Sequence, residues 1–167
     1  MSSQTIILNH DKWRKGIGGA PAGLAGQADS NAYAGLDLNL AVFASSTFMG
    51  SSFTATTFHQ GQWNACTFTG ASFTACDFEG ITMAGCTFNQ CTFSQSQLTR
   101  STLNDCTFES CELNTVTLDA GQWSGVRLLN CFGTELAGHD LRGEHVKWEG
   151  SHFRNIRLVN ARINLSM

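Results

Sequence analysis

Residues 61–93 read GQWNACTFTG ASFTACDFEG ITMAGCTFNQ CTF, and a bulky apolar side chain returns at every fifth place: Trp63, Phe68, Phe73, Phe78, Met83, Phe88 and Phe93. The row runs on without a gap in both directions, back through Phe58, Phe53, Phe48 and Phe43 to Leu38. Forward, it continues through Leu98, Leu103, Phe108, Leu113, Leu118 and Trp123 to Leu128. A period of five matches neither the 3.6 of an α-helix nor the 2.0 of an ordinary strand. It fits a coil that turns a corner every five residues, each side a very short strand with one large residue aimed at the axis.

The residue two places before each large one is mostly small, as in Ser46, Ser51, Cys66, Ala71, Cys76, Cys86, Cys91, Cys106 and Cys111. All seven cysteines share this phase, which chance would give roughly once in fifteen thousand sequences. Free cysteine behaves as a small hydrophobe that favours burial, so the phase points inward. Volumes compensate between the two inward positions: Gly61 precedes Trp63 and Gly121 precedes Trp123, whereas Val116 and Val126 precede the smaller Leu118 and Leu128. Composition agrees with a dense apolar interior, since 12 phenylalanines accompany a single tyrosine and charged residues make up only 14% of 167 residues.

The alternation of small and large inward residues, as in Cys-Asp-Phe-Glu-Gly at 76–80 and His-Asp-Leu-Arg-Gly at 139–143, resembles the pentapeptide-repeat family over roughly residues 36–165. The resemblance implies an all-β fold, a right-handed quadrilateral parallel β-helix with four repeats, or twenty residues, per coil. The twenty-residue spacing is also visible directly: Ser46-Thr47-Phe48, Cys66-Thr67-Phe68, Cys86-Thr87-Phe88 and Cys106-Thr107-Phe108 recur at that interval. With coils about 4.8 Å apart, Phe48, Phe68, Phe88 and Phe108 are expected to form one inner column. Cys66, Cys86 and Cys106 would lie beside it with Trp63 and Trp123, and the threonines outside.

Two regions depart from the pattern. Past Leu128 the strict frame places Gly133, Gly138 and Gly143 at large inward sites, whereas Leu136, Leu141 and Val146 read as a shifted register. This predicts a bulge or loop near 130–135 and a compensating one near 144–148. Residues 1–35 do not repeat; they are expected to form a cap or a docking segment, with one strand through Thr5-Ile6-Ile7-Leu8.

Nothing in the sequence points to catalysis. There is no phosphate loop, no placeable Ser/His/Asp order and no carboxylate pair with a cleft, and a filled solenoid offers no pocket of its own. No catalytic, cofactor-binding or metal-binding residue is expected. The cysteines read as reduced core thiols, and His10, His59, His139, His145 and His152 as surface residues without a metal. No stretch is long and apolar enough to span a membrane and the start does not read as a secretory signal, so a cytoplasmic protein is expected.

Charge is sparse and uneven. Between residues 41 and 99 only Asp77 and Glu79 are charged, acids predominate from 77 to 119, and six bases occur from Arg127 onward. The preferred expectation is a non-enzymatic scaffold or adaptor for another protein, its low-charge style similar to family members that accompany bacterial secretion machinery, including type VI systems. The alternative is the family's DNA-mimicking branch, which protects DNA gyrase from quinolones, but a net charge of −3 is thin for a phosphate mimic. Ice binding through threonine ladders is a third possibility, and no nucleic-acid partner is expected. Ile156, Leu158, Ile163 and Leu165 carry apolar side chains to the C-terminal end, which predicts a homodimer through the last coil.

Overall fold

The computed structural model describes residues 2–165, with the side chain of Leu165 outside that description. It is a parallel β-solenoid of about seven turns, built, among the described residues, from 22 short strands and one helix. Each five-residue side repeats one pattern. In 66–70, Cys66 and Phe68 face the axis, Thr67 and Thr69 face out, and Gly70 turns the corner with φ of 61°. The corner residue is left-handed at every fifth position from Ser45 to Asn160. Most of these residues carry a side chain, so each such corner costs backbone energy that stacking must offset.

Between residues 42 and 163 the coils stack with a twenty-residue offset. Thr87 pairs with Thr67 below and Thr107 above, and Phe88 with Phe68 and Phe108. The ladder bonds are of ordinary length, Thr87 N–H to Cys66 O at 2.9 Å for example. Three faces are ladders of three-residue strands, and the fourth begins as single bridges from Asp37 through Thr57, Asp77 and Gln97 to Thr117. Inside, Phe48, Phe68, Phe88 and Phe108 form one stack with centroids 4.5, 4.9 and 4.7 Å apart. Trp63, Trp123 and all seven cysteines are buried in the same core.

The register does not slip between residues 128 and 143. Asn130, Glu135, Asp140 and His145 remain left-handed corners in the original phase, Leu136 pairs with Val116, and Trp148 pairs with Leu128. The expected bulge at 130–135 is therefore absent from the structure. Instead the two inward positions exchange sizes: Leu136, Leu141 and Val146 occupy the small-residue phase and are buried, while glycines 133, 138 and 143 stand in the large-residue phase. The left-handed corners keep their phase across this exchange, so the coil closes as it does below. Gly133 is obligatory, because a Cβ there would overlap the carbonyl oxygen of Leu113. The one shift in this region is between Gly143 and Val146, where 162–165 pairs along the top edge.

The N-terminal region also differs from expectation. Residues Ser3–Arg14 form a helix, α1, where a strand through Thr5-Ile6-Ile7-Leu8 was predicted. Ser2 is its N-cap, accepting from the backbone N–H of Thr5, and Lys12 and Arg14 occupy the last turn, where cations complement the helix dipole. The solenoid itself starts earlier than residue 36, since Gly23–Ala25 pairs with Val42–Ala44 and Ala32–Ala34 with Ser52–Thr54. Leu24 and Tyr33 belong to the core. The offset in this first turn is nineteen residues on two faces, Leu24 to Phe43 and Asp29 to Phe48, which is why the phase of five does not reach back to it.

α1 lies on the end of the first coil. Ile7 enters the core, and three polar side chains fasten the helix. His10 Nδ1 accepts from Ala22 N–H at 2.8 Å while its Nε2 donates to the Asn39 carbonyl at 2.7 Å, which fixes the tautomer. Asp11 Oδ1 accepts from Asp37 N–H at 2.8 Å. Ser3 Oγ donates to Asp29 at 2.6 Å. Asp29 is a buried carboxylate that also accepts from Tyr33 Oη at 2.5 Å, Ser51 Oγ at 2.7 Å and both nitrogens of Asn31. Burial pushes its pKa up, but these donors outweigh burial and hold it below the ordinary carboxylate value.

Candidate interaction surfaces

The shaft between residues 41 and 99 presents Thr, Ser, Asn, Gln and Ala in rows at the spacing of the coils. Thr47, Thr67, Thr87 and Thr107 line one face, and Ser52, Ser72 and Thr92 another. These side chains lack the charge that long-range attraction requires.

One corner of this shaft is different. Asp77 pairs with Thr57 of the coil below, which sets Asp77 and Glu79 above His59. His59 Nε2 lies 2.9 Å from Asp77 Oδ2, and Arg100 Nη1 lies 3.2 Å from Glu79 Oε1. The backbone holds these groups in place: His59 N–H donates to Asn39 Oδ1 at 2.8 Å, and Glu79 N–H to Asp77 Oδ1 at 3.1 Å. His59 Nε2 is shielded from solvent and, despite the short separation, lacks hydrogen-bond geometry towards Asp77. Reading the five histidines as separate surface residues missed this cluster. The signal was the twenty-residue interval from His59 to Glu79.

The C-terminal coil is the second distinctive surface. Phe153, Leu158 and Ile163 pack on the core but stay partly exposed, unlike the buried large residues of the earlier coils, and Ile156 is 44% exposed. The side chain of Leu165, the fourth residue expected at this end, lies outside the described residues. Residues 152–165 carry Arg154, Arg157 and Arg162 and no acid. Arg162 is in register with Arg142 and Arg157 with Ala137, so the basic side chains project along the rim.

The cysteines stand in two columns, Cys66/Cys86/Cys106 and Cys91/Cys111/Cys131, with Cys76 alone, and all seven are free. Burial pushes the Cys76 thiol up to about 11. Donation to Cys106, reinforced by burial, pushes Cys86 up to about 12. At the bottom of one column and the top of the other, Cys66 and Cys131 are also raised, by their stacked neighbours and by burial. Cys91 and Cys106 accept from Cys111 and Cys86 and are drawn the other way. Among the described residues, no helix is long and apolar enough to cross a membrane.

Among curated proteins, no sequence relative matches this chain. Solved structures with a similar fold include a pentapeptide-repeat protein of the cyanobacterium Cyanothece, 12% identical over 65% of this chain with a TM-score of 0.42. The chain spans 64% of that protein's length. Full-length QnrB1, a plasmid-mediated fluoroquinolone resistance protein, is 10% identical over 82% of this chain and 93% of its own, with a TM-score of 0.42. HetL of the cyanobacterium Nostoc, involved in heterocyst differentiation regulation, is 11% identical over 97% and 94%, with a TM-score of 0.22. None of the three carries a functional argument for this chain. The description "Pentapeptide repeats" matches in eight copies, at residues 51–90, 66–105 and 76–114 among them. With those copies lying on coils whose corners keep one phase from Ser45 to Asn160, the chain belongs to the pentapeptide-repeat family.

Proposed function

We propose that this chain is a non-enzymatic interaction scaffold that meets another protein end-on through its last coil. The observation that carries the reading is the contrast between the two ends. α1 closes the first coil, whereas the last coil leaves Phe153, Leu158 and Ile163 partly open and Ile156 more so. An apolar patch with a polar rim is the common anatomy of a protein interface. The rim here is basic, through Arg154, Arg157 and Arg162, so the fitting partner offers an apolar surface edged with acids.

A second copy of the chain is the rival cover. A two-fold contact needs only one self-complementary surface, but it would set these arginines against their equivalents, which disfavours it. A component of a bacterial secretion assembly is the partner class supported by the likeness in style. Dense negative charge, which imitation of a DNA backbone requires, does not occur on the shaft, where Asp77 and Glu79 are the only acids between residues 41 and 99.

The test pairs light scattering with affinity capture from native cells. The isolated protein is expected to be monomeric at tens of micromolar. A partner retained by the wild type and by Thr87→Lys but lost by Leu158→Asp supports the end-on reading. A partner retained by Leu158→Asp overturns it, and a dimer abolished by Leu158→Asp transfers the end to self-association.

A further inference from the structure

Between residues 38 and 104 the sequence holds only four residues of the types Asp, Glu, Lys, Arg and His: His59, Asp77, Glu79 and Arg100. All four meet at the corner described above, although they come from three successive coils. On a shaft otherwise stripped of charge, this convergence needs a cause, and the fold does not supply one. Neighbouring corners close with Ala65, Ala75, Gln90 and Gln95 and need no ion pair.

The geometry of the three acceptor groups suggests the cause. One ligand atom each from His59, Asp77 and Glu79 lie within 4.8 Å of one another, the one such trio among the described residues. His59 Nε2 and Asp77 Oδ2 approach to 2.9 Å without forming a hydrogen bond. Bonds of about 2.0–2.2 Å put neighbouring ligand atoms about 2.8–3.1 Å apart on an octahedral ion and about 3.3–3.6 Å apart on a tetrahedral one. The pair therefore stands at the octahedral separation and has to open by about half an ångström for a tetrahedral zinc ion. Asp77 Oδ1 is occupied by Glu79 N–H, which leaves Oδ2 as its free donor and fixes the direction in which it points.

We propose that His59, Asp77 and Glu79 form a binding site for a divalent transition-metal ion of the zinc type. One imidazole and two carboxylates suit zinc, cobalt or nickel better than calcium or magnesium, which prefer all-oxygen shells. Three protein ligands at a partly exposed corner leave the remaining coordination positions to water or to a group from outside the chain. Arg100 has a side chain 71% exposed and can swing away from Glu79. Its guanidinium competes with the metal for that carboxylate.

The rival account is a pair of ordinary surface ion pairs, His59 with Asp77 and Glu79 with Arg100. The two accounts differ in sign at Arg100. In calorimetric titration of the full reduced chain with zinc alone at neutral pH, one equivalent should bind. His59→Ala and Asp77→Asn should each weaken binding at least about tenfold, since changes merely in outer partners of metal sites reach that size. Arg100→Ala should strengthen it several-fold. Because seven thiols are present, a cobalt spectrum is recorded in parallel. A nitrogen and oxygen site gives no thiolate charge-transfer band, whereas binding by opened cysteine columns does. Absence of zinc binding, wild-type affinity in His59→Ala or Asp77→Asn, a thiolate band, or weaker binding in Arg100→Ala overturns the proposal. Circular dichroism of each variant separates loss of the site from loss of the fold.

Discussion

Phe88 lies flat on Phe68, with ring centroids 4.9 Å apart and planes 5° from parallel. Phe108 covers its other side at 4.7 Å. A ring held on both faces in a filled column has no way to collapse when shortened. Phe88→Ala should therefore cost about 3–5 kcal/mol in denaturant unfolding, and a cost below about 1 kcal/mol would mean that the column relaxes.

Asp29 gives the fold a pH dependence of known sign. Its pKa is lowered in the folded chain, so its contribution is fully present above 3.8 and is lost as pH falls through the depressed folded value. Asp29→Asn turns a donor towards Ser51 Oγ and Asn31 N–H, which now donate to Oδ2. The variant should lose about 2 kcal/mol at neutral pH. Its deficit relative to wild type should shrink in acid below that range, as measured by urea unfolding at a series of pH values.

All seven thiols are expected to resist modification in the native state, because each is buried whatever the direction of its pKa. A thiol reagent should count none quickly in folded protein and seven after denaturation. Rapid labelling of Cys91 or Cys106, the two whose pKa is lowered, would reveal opening of the coil rather than thiolate character alone.

Thr115 is a β-branched residue at a left-handed corner, with φ of 55°. That conformation is costly for such a side chain. Thr115→Gly should stabilise the protein by about 0.5–1 kcal/mol, visible as a raised unfolding midpoint. Gly133→Ala should do the reverse, losing at least about 2 kcal/mol because the added methyl group meets the backbone of Leu113 rather than a movable side chain.

The coil and its core were legible in the sequence because each side uses the same two inward phases, and Phe68 and Cys66 report the same environment as Phe88 and Cys86. The stretch from 130 to 135 was misread as a slip because size, not frame, was the signal, whereas a register shift does occur between Gly143 and Val146, at the edge of the irregularity expected near 144–148. Leu136 takes the small-residue position above Val116, and Gly138 the large-residue position above Leu118; a reading that looks for large residues in one phase takes the exchange for a shift. α1 was misread because Thr5-Ile6-Ile7 has the composition of a strand, while the Ser2 cap and the anchoring of His10 and Asp11 depend on tertiary partners. The corner at His59 required side-chain positions from three coils, which a one-dimensional phase does not supply.

The unbroken phase of the corners makes the rod a ruler. Excision of residues 87–106 would leave Cys86 followed by Thr107 just as it is now followed by Thr87, with the helix at one end and the arginine rim at the other untouched. The level of Glu79 and that of Val159 are four coils apart, or about 19 Å, and the excision would draw them together by about 4.8 Å without rotating one relative to the other by a side. Distance between two surface features is thus quantised in this molecule, and insertion or loss of whole coils changes it while leaving both features as they are.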